Sequence, residues 1–380
     1  MKRLKHIIFF IFITNLGGWN CKEVYKPPSI ANNSHLLIID GIVINGTDST
    51  IITLSRTRDL SDTVPSVKEL NAQVSVVGLS GVEYPFIEQG GGRYVVDQLL
   101  LDTTQQYQLK VVTSDGNEFR SEMNKVRTSP LIDSVYWNQD SVGVHVYLNT
   151  HDPNNQTRYY RWQYVENWEY HSAYSSTLEY NNGIIDFRPL DNQIFRCYRS
   201  QPSSSIEVVN TTRLSSDVVN KYEVTYVPTG SEQISYLYSD LISQYAIPAE
   251  AYNFWDNLKK NTEQLGTLFD LQPFTELGNI QCVNNPSIHC IGFISFSTVQ
   301  KKRIFISKND IFNWNYSPYY GDCYVDTIPP NDIDKYFQPP GGPYFYSLIG
   351  TNNGPYLLST NLCVDCTYHG GTTLKPPFWP

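Results

Sequence analysis

Apolar and polar residues alternate in short runs between residues 36 and 128. Ala72-Gln73-Val74-Ser75-Val76-Val77 and Tyr107-Gln108-Leu109-Lys110-Val111-Val112 repeat with period 2. That is the spacing of a strand with one face buried. Leu36-Leu37-Ile38-Ile39-Asp40-Gly41, Ser49 to Ser55, Arg93-Tyr94-Val95-Val96 and Glu118-Phe119-Arg120-Ser121 read the same way. Gly90-Gly91-Gly92 and Asp115-Gly116 supply turns between them. Short strands at hairpin spacing predict an immunoglobulin-like β-sandwich over residues 36–128.

Ser129-Pro130 marks the expected boundary, and residues 129–380 read as a larger β-rich domain. Val144, Val146 and Leu148 alternate with polar neighbours, and Tyr159-Tyr160-Arg161-Trp162-Gln163-Tyr164 is an aromatic strand. One stretch breaks the β pattern. Ala251, Phe254, Trp255, Leu258, Thr262 and Leu265 fall on one helical stripe, with Pro248 suited to the first turn and Gly266 to the end. An amphipathic helix near residues 248–265 follows, its aromatic stripe read as core packing. Residues 313–357, rich in Tyr, Pro, Gly and Asn, read as a long irregular surface segment. The fold class is therefore mainly β. Tyr 28, Phe 17 and Trp 7 against Met 2 point the same way.

The first 21 residues change the picture. Lys2, Arg3 and Lys5 precede the apolar run Ile7–Ile13, and Gly17-Gly18 follow. This is the pattern of an export signal over residues 1–20. The run is too short to span a bilayer, which takes about 20 apolar residues. Cys21 stands where a bacterial lipobox places its acylated cysteine. Residues 21–35 then form a tether, and the lipid chains hold the protein to a membrane. Ordinary cleavage, with Cys21 as a disulfide partner or spare thiol, is the other reading. Losing residues 1–20 removes Lys2, Arg3 and Lys5 and no acid, so the formal charge goes from −9 to −12. No long basic run remains, which argues against nucleic acid as a partner.

Cys197, Cys282, Cys290, Cys323, Cys363 and Cys366 remain as an even set. In an exported chain they are candidate disulfides, with the pairing undetermined by sequence. Cys363-Val364-Asp365-Cys366 has the spacing of zinc and redox motifs, but no second such pair or compact His pair accompanies it. No metal site, cofactor or catalytic constellation is expected. The aromatics of the irregular segment, Trp314, Tyr316, Tyr319, Tyr320, Tyr344 and Tyr346, are the candidate ligand or partner contacts.

Four stretches resemble a known family: Leu36 to Gly41 with Thr53-Leu54-Ser55; Tyr159-Tyr160-Arg161-Trp162; Ser243 through Tyr252-Asn253-Phe254-Trp255 to Phe269-Asp270-Leu271-Gln272-Pro273 and Gly278-Asn279-Ile280; and Cys363-Val364-Asp365-Cys366 with Lys375-Pro376-Pro377-Phe378-Trp379. Together they are similar to the Bacteroidota lipoproteins grouped as domain of unknown function 4249. Members typically end in CxDCR, and Thr367 replaces that Arg here. The resemblance implies an outer-membrane lipoprotein, on the periplasmic or cell-surface side, encoded near TonB-dependent receptors. It implies no activity and no catalytic residues. The expected role is a non-catalytic accessory or ligand-binding partner of such a receptor. A surface hydrolase, or an adhesin or envelope structural protein, are the alternatives.

Overall fold

A computed structural model describes residues 35–58, 67–181, 183–263, 278–316, 320, 323–337, 346–351 and 355–380. The chain is mainly β, with strands from Leu37–Asp40 to Tyr356–Thr360. Cys21, the tether up to residue 34, Tyr319, Tyr344, Leu265 and Gly266 lie outside the described residues.

The first region is a two-sheet sandwich. One sheet runs Cys290–Ile291, Leu37–Asp40, Thr50–Arg56, Arg93–Val96, Ile87–Glu88. The other runs Ile280–Cys282, Glu118–Ser121, Gln106–Val112, Gln73–Gly78, Glu83–Pro85. Period-2 alternation aims Leu37, Ile39, Ile52 and Leu54 of one sheet at Val74, Val76, Leu109 and Val111 of the other. The buried Tyr94 hydroxyl donates to the Glu69 carbonyl and accepts from the Ala72 amide, both at 3.0 Å.

Residues 36–128 do not complete this sandwich alone. Residues 278–297 return to it after the helix. Leu37 and Ile38 pair in parallel with Cys290 and Ile291, and Val43 and Ile44 with Phe296 and Ser297. Ile280–Cys282 pairs antiparallel with Phe119–Ser121. The return needs glycine. Gly278 has φ +109, and a Cβ there would lie 1.8 Å from the Gly292 carbonyl oxygen. Asn279 ties the crossing through both amide atoms to the Ile294 backbone, at 2.9 Å each. The Gly278-Asn279-Ile280 motif thus has a physical reading: close approach, a side-chain clamp and a buried anchor.

The second region is another pair of sheets. Ile132–Gln139, Gly143–His151 and Val218–Pro228 form the smaller one. In the larger, Tyr159–His171 lies between Leu237–Ala246 on one side and both Arg196–Pro202 and Glu207–Asn210 on the other, and Val299–Ser307 forms the far edge. Val144, Val146 and Leu148 meet Tyr160, Trp162, Trp168, Tyr238 and Ile242 between them. The buried Trp162 indole N–H donates to Gln244 at 3.0 Å.

The helix spans Ala249–Glu263 and covers the seam between the regions. Ala251, Phe254 and Trp255 are buried with Ile42, Ile44, Tyr245, Ile247 and Phe293. Leu258 is half-buried there, while Thr262 is exposed. The stripe is core from Ala251 to Leu258, as its spacing predicts, but not at Thr262.

The described residues of the segment 313–357 carry regular structure that the composition does not suggest. Asp326–Ile328, Tyr346–Thr351 and Tyr356–Thr360 form a sheet, and a short helix spans Ile333–Phe337. With the hairpin Leu178–Asn181 and Ile184–Phe187 they enclose a small core of Leu178, Ile328, Phe337, Leu348 and Leu358. The strands are very short, so no long alternation reveals them in the sequence.

Candidate functional site

Four of the six expected disulfide cysteines are bonded: Cys197–Cys366 and Cys323–Cys363. The CxxC pair is not bonded to itself. Each of its sulfurs reaches a different part of the chain, which fixes the segment Asn361–His369 against the strand Arg196–Pro202 and against Cys323. Cys282 and Cys290 depart from the expectation: both are buried free thiols.

The aromatic contact candidates are mostly turned inward. Trp314 is buried, and its indole N–H donates to the Ser231 carbonyl at 3.1 Å. Tyr320 is buried, with its hydroxyl donating to the His171 carbonyl. Tyr316 is half-buried and donates to Glu232 at 3.2 Å. Tyr346 is half-buried and meets the edge of Tyr336, ring centroids 5.5 Å apart. The polar ends of Trp314, Tyr316 and Tyr320 are satisfied inside the protein, so these side chains anchor the segment to the β body. A polar tip on a large ring lets it do so at little desolvation cost.

The described acids that converge are held for structure. Glu166 and Asp240 face each other across paired strands, Asp240 wholly buried and Glu166 half-buried. Glu166 accepts from Tyr238 at 2.9 Å, and Asp240 from Thr225 at 2.8 Å. Burial raises both, and pushes Asp240 up to about 7. A raised carboxyl suits a general acid, but Asp240 is wholly buried, out of reach of a substrate in solution. Near the surface, Glu169 receives the His171 ring at 2.8 Å, Arg196 at 3.1 Å and the Trp379 indole at 3.2 Å. Burial works to raise Glu169, yet these partners hold it below the usual carboxylate range. It docks the C-terminal Phe378-Trp379 end, with Phe378 beneath the Arg303 guanidinium at 3.5 Å.

The outward side of the smaller sheet differs. Antiparallel sheets usually present polar residues to water. Here Tyr136 pairs with Tyr147 across strands, ring centroids 5.6 Å apart, and His145 stands 4.9 Å from Tyr226. Tyr136 is 36% and Tyr226 41% exposed. The imidazole Nδ1 is hydrogen-bonded to Glu223 at 3.0 Å, and Nε2 lies 3.2 Å from Asp140 without a hydrogen bond. Lys221 lies 5.1 Å from the Tyr147 ring. Asn149, bonded to Ser134 at 2.9 Å, and His151, 2.8 Å from Asp133, extend a polar rim. A fixed aromatic centre with a polar rim is the anatomy of a binding face. Sequence reading overlooked it. The signal was present in Val144-His145-Val146-Tyr147-Leu148, whose alternation that buries the valines turns His145 and Tyr147 outward.

Residues 22–303 match the family model described as domain of unknown function (DUF4249). The chain belongs to DUF4249. No curated protein matches it. Two of the motifs that carry the DUF4249 resemblance dock on one another. Arg161 of the aromatic strand stacks on Trp255 of the helix at 3.6 Å, and Tyr159 meets Tyr252 at 5.4 Å. In this DUF4249 chain those motifs build the seam between the two regions, whereas the tyrosine face lies on the separate sheet of Ile132–Gln139, Gly143–His151 and Val218–Pro228.

Proposed function

We propose that the protein is an exported lipoprotein, acylated on Cys21 and held at the outer membrane. It performs no chemistry of its own and serves as a binding accessory of a TonB-dependent receptor. The observation that carries the binding role is the exposed face of Tyr136, Tyr147, His145 and Tyr226. Rings locked by their neighbours lose little entropy on contact, so they make effective interface anchors. Two disulfides support export, because such bonds persist in oxidising compartments. The full burial of Asp240 counts against the hydrolase alternative.

The test is affinity capture from solubilised native membranes. The wild-type chain should retain a TonB-dependent receptor, and the triple variant Tyr136→Ala, Tyr147→Ala, Tyr226→Ala should lose it while keeping the wild-type melting curve. Capture of no receptor by the wild type overturns the accessory role. Intact-mass measurement of the membrane-extracted protein checks the anchor: the mature chain should begin at Cys21 and carry acyl mass.

A further inference from the structure

One edge of the first sandwich carries chemistry that the binding role does not use. Cys282 ends the strand Ile280–Cys282, which extends one sheet beside Glu118–Ser121. Cys290 begins Cys290–Ile291, which extends the other sheet beside Leu37–Asp40. The two strands lie against each other, and both cysteines belong to the apolar cluster between the sheets. The Cys290 sulfur is 3.4 Å from the Ile280 carbonyl oxygen, two residues before Cys282 on the same strand. The Cys282 sulfur faces Asn284 at 3.3 Å. Between them runs a short connection, turned where the Ile288 amide donates to the Asn285 carbonyl at 3.0 Å. A cavity of about 550 Å³ opens at this edge, and Cys282, Cys290, Ile288 and His289 help line it.

Two thiols therefore sit on opposing sheets, close together, at a cavity wall. The chain's other described cysteines are already disulfide-bonded. In immunoglobulin domains a disulfide joins the two sheets. Here the two thiols between the sheets are unbonded, and they belong to the edge added by the returning segment.

We propose that Cys282 and Cys290 are a modification site for thiol–disulfide exchange, at which a small or protein disulfide entering the cavity converts them to a third disulfide joining the sheets. The Cys282 thiolate attacks the oxidant's disulfide, forms a mixed disulfide and releases one thiol of the oxidant. The Cys290 thiolate then attacks the Cys282 sulfur and releases the second. Two protein thiols become one S–S bond. Their two electrons and two protons pass to the oxidant, which leaves as two thiols. Burial pushes the Cys290 thiol up to about 12, so its ionisation limits the rate of the resolving step. The closed bond pins the connection between the two cysteines and narrows the cavity mouth.

The experiment uses the mature chain with Cys21→Ser, folded with its two disulfides, before and after incubation with oxidised glutathione. Free thiols are alkylated in denaturant and located by peptide mass spectrometry. Before oxidation, Cys282 and Cys290 should both be alkylated. Afterwards neither should be, and a Cys282–Cys290 cross-linked peptide should appear. Cys290→Ser should instead accumulate glutathione on Cys282, because the resolving thiol is gone. Full alkylation of both cysteines after oxidation, stable glutathione on both, or exchange into the other two disulfides would each overturn the assignment. If Cys290→Ser does not fold, the wild-type cross-link alone decides. The readout needs neither a lipid anchor nor a receptor, so its failure is separate from failure of the binding role.

Discussion

The two regions close a β core by different means. The first sandwich has no disulfide among its described residues, and its edges are completed by a segment that arrives from 278–297. The second region is cross-linked at Cys197–Cys366, with Cys323–Cys363 beside it. The first relies on backbone pairing, a glycine crossing and an asparagine clamp. The second tolerates polar and ionisable groups inside its core, such as Asp240 and Gln244, alongside its covalent staples. A non-local strand costs closure entropy each time the chain folds, whereas a disulfide removes that entropy from the unfolded state. The difference implies that reduction and pH act on the second region, and backbone substitutions on the first.

The largest effect should come from the staples. Cys197 and Cys366 are 169 residues apart, so chain entropy alone assigns their bond about 5 kcal/mol. The double variant Cys197→Ala, Cys366→Ala should lose stability on that scale. Trp137, Trp162, Trp168, Trp255, Trp314 and Trp379 all lie in the second region or the seam helix, so tryptophan fluorescence in urea reports that part. Hydrogen exchange in the Gln106–Val112 strand should stay near wild type. Equal loosening of both regions would erase the contrast.

The pH effect comes next. Folded Asp240 titrates near 7, well above the unfolded carboxyl, so the folded chain holds the extra proton between about pH 4 and 7. Stability from this group is therefore full below about pH 4 and falls as pH rises through 7, by a few kcal/mol. Glu166, also raised by burial, adds in the same direction. Asp240→Asn should flatten that slope in urea midpoints measured at pH 5 and pH 8; an unchanged slope would show the acid to be ionised throughout.

Gly278→Ala tests the first sandwich. Its Cβ would collide with the Gly292 backbone, at a cost of about 3 kcal/mol. Thermal unfolding followed by exchange in the Leu37–Asp40 strand should show the loss there first. A neutral outcome would mean that the crossing can move.

The smallest effect is on the sandwich surface. Lys110 lies 3.2 Å from Glu83, and both are solvent-accessible. Lys110→Ala should cost less than about 1 kcal/mol. A larger loss would show that this sheet depends on charge as well as on its apolar face.

Much of this was readable beforehand. The strands of the first sandwich fall where Leu109, Val111, Val74 and Val76 alternate, and the helix buries Ala251, Phe254 and Trp255 of the stripe predicted for it. The candidate site was not readable. Trp314 and Tyr320 look exposed in a segment rich in Pro and Gly, yet their polar ends find Ser231 and His171 from far away in sequence. His145 and Tyr147 sat in plain alternation, but their significance required Tyr136 and Tyr226 from neighbouring strands.

The amino-acid order by itself determined which faces of the strands and helix are greasy, because side-chain periodicity is a local property of the backbone. It determined the basic-then-apolar start and the seven cysteines for the same reason: both are contiguous or countable. Only the tertiary structure decided which cysteines bond, where residues 278–297 return, and which tyrosines remain in water. Those outcomes depend on which distant segments share space, and residues far apart along a chain carry no record of their separation in the fold.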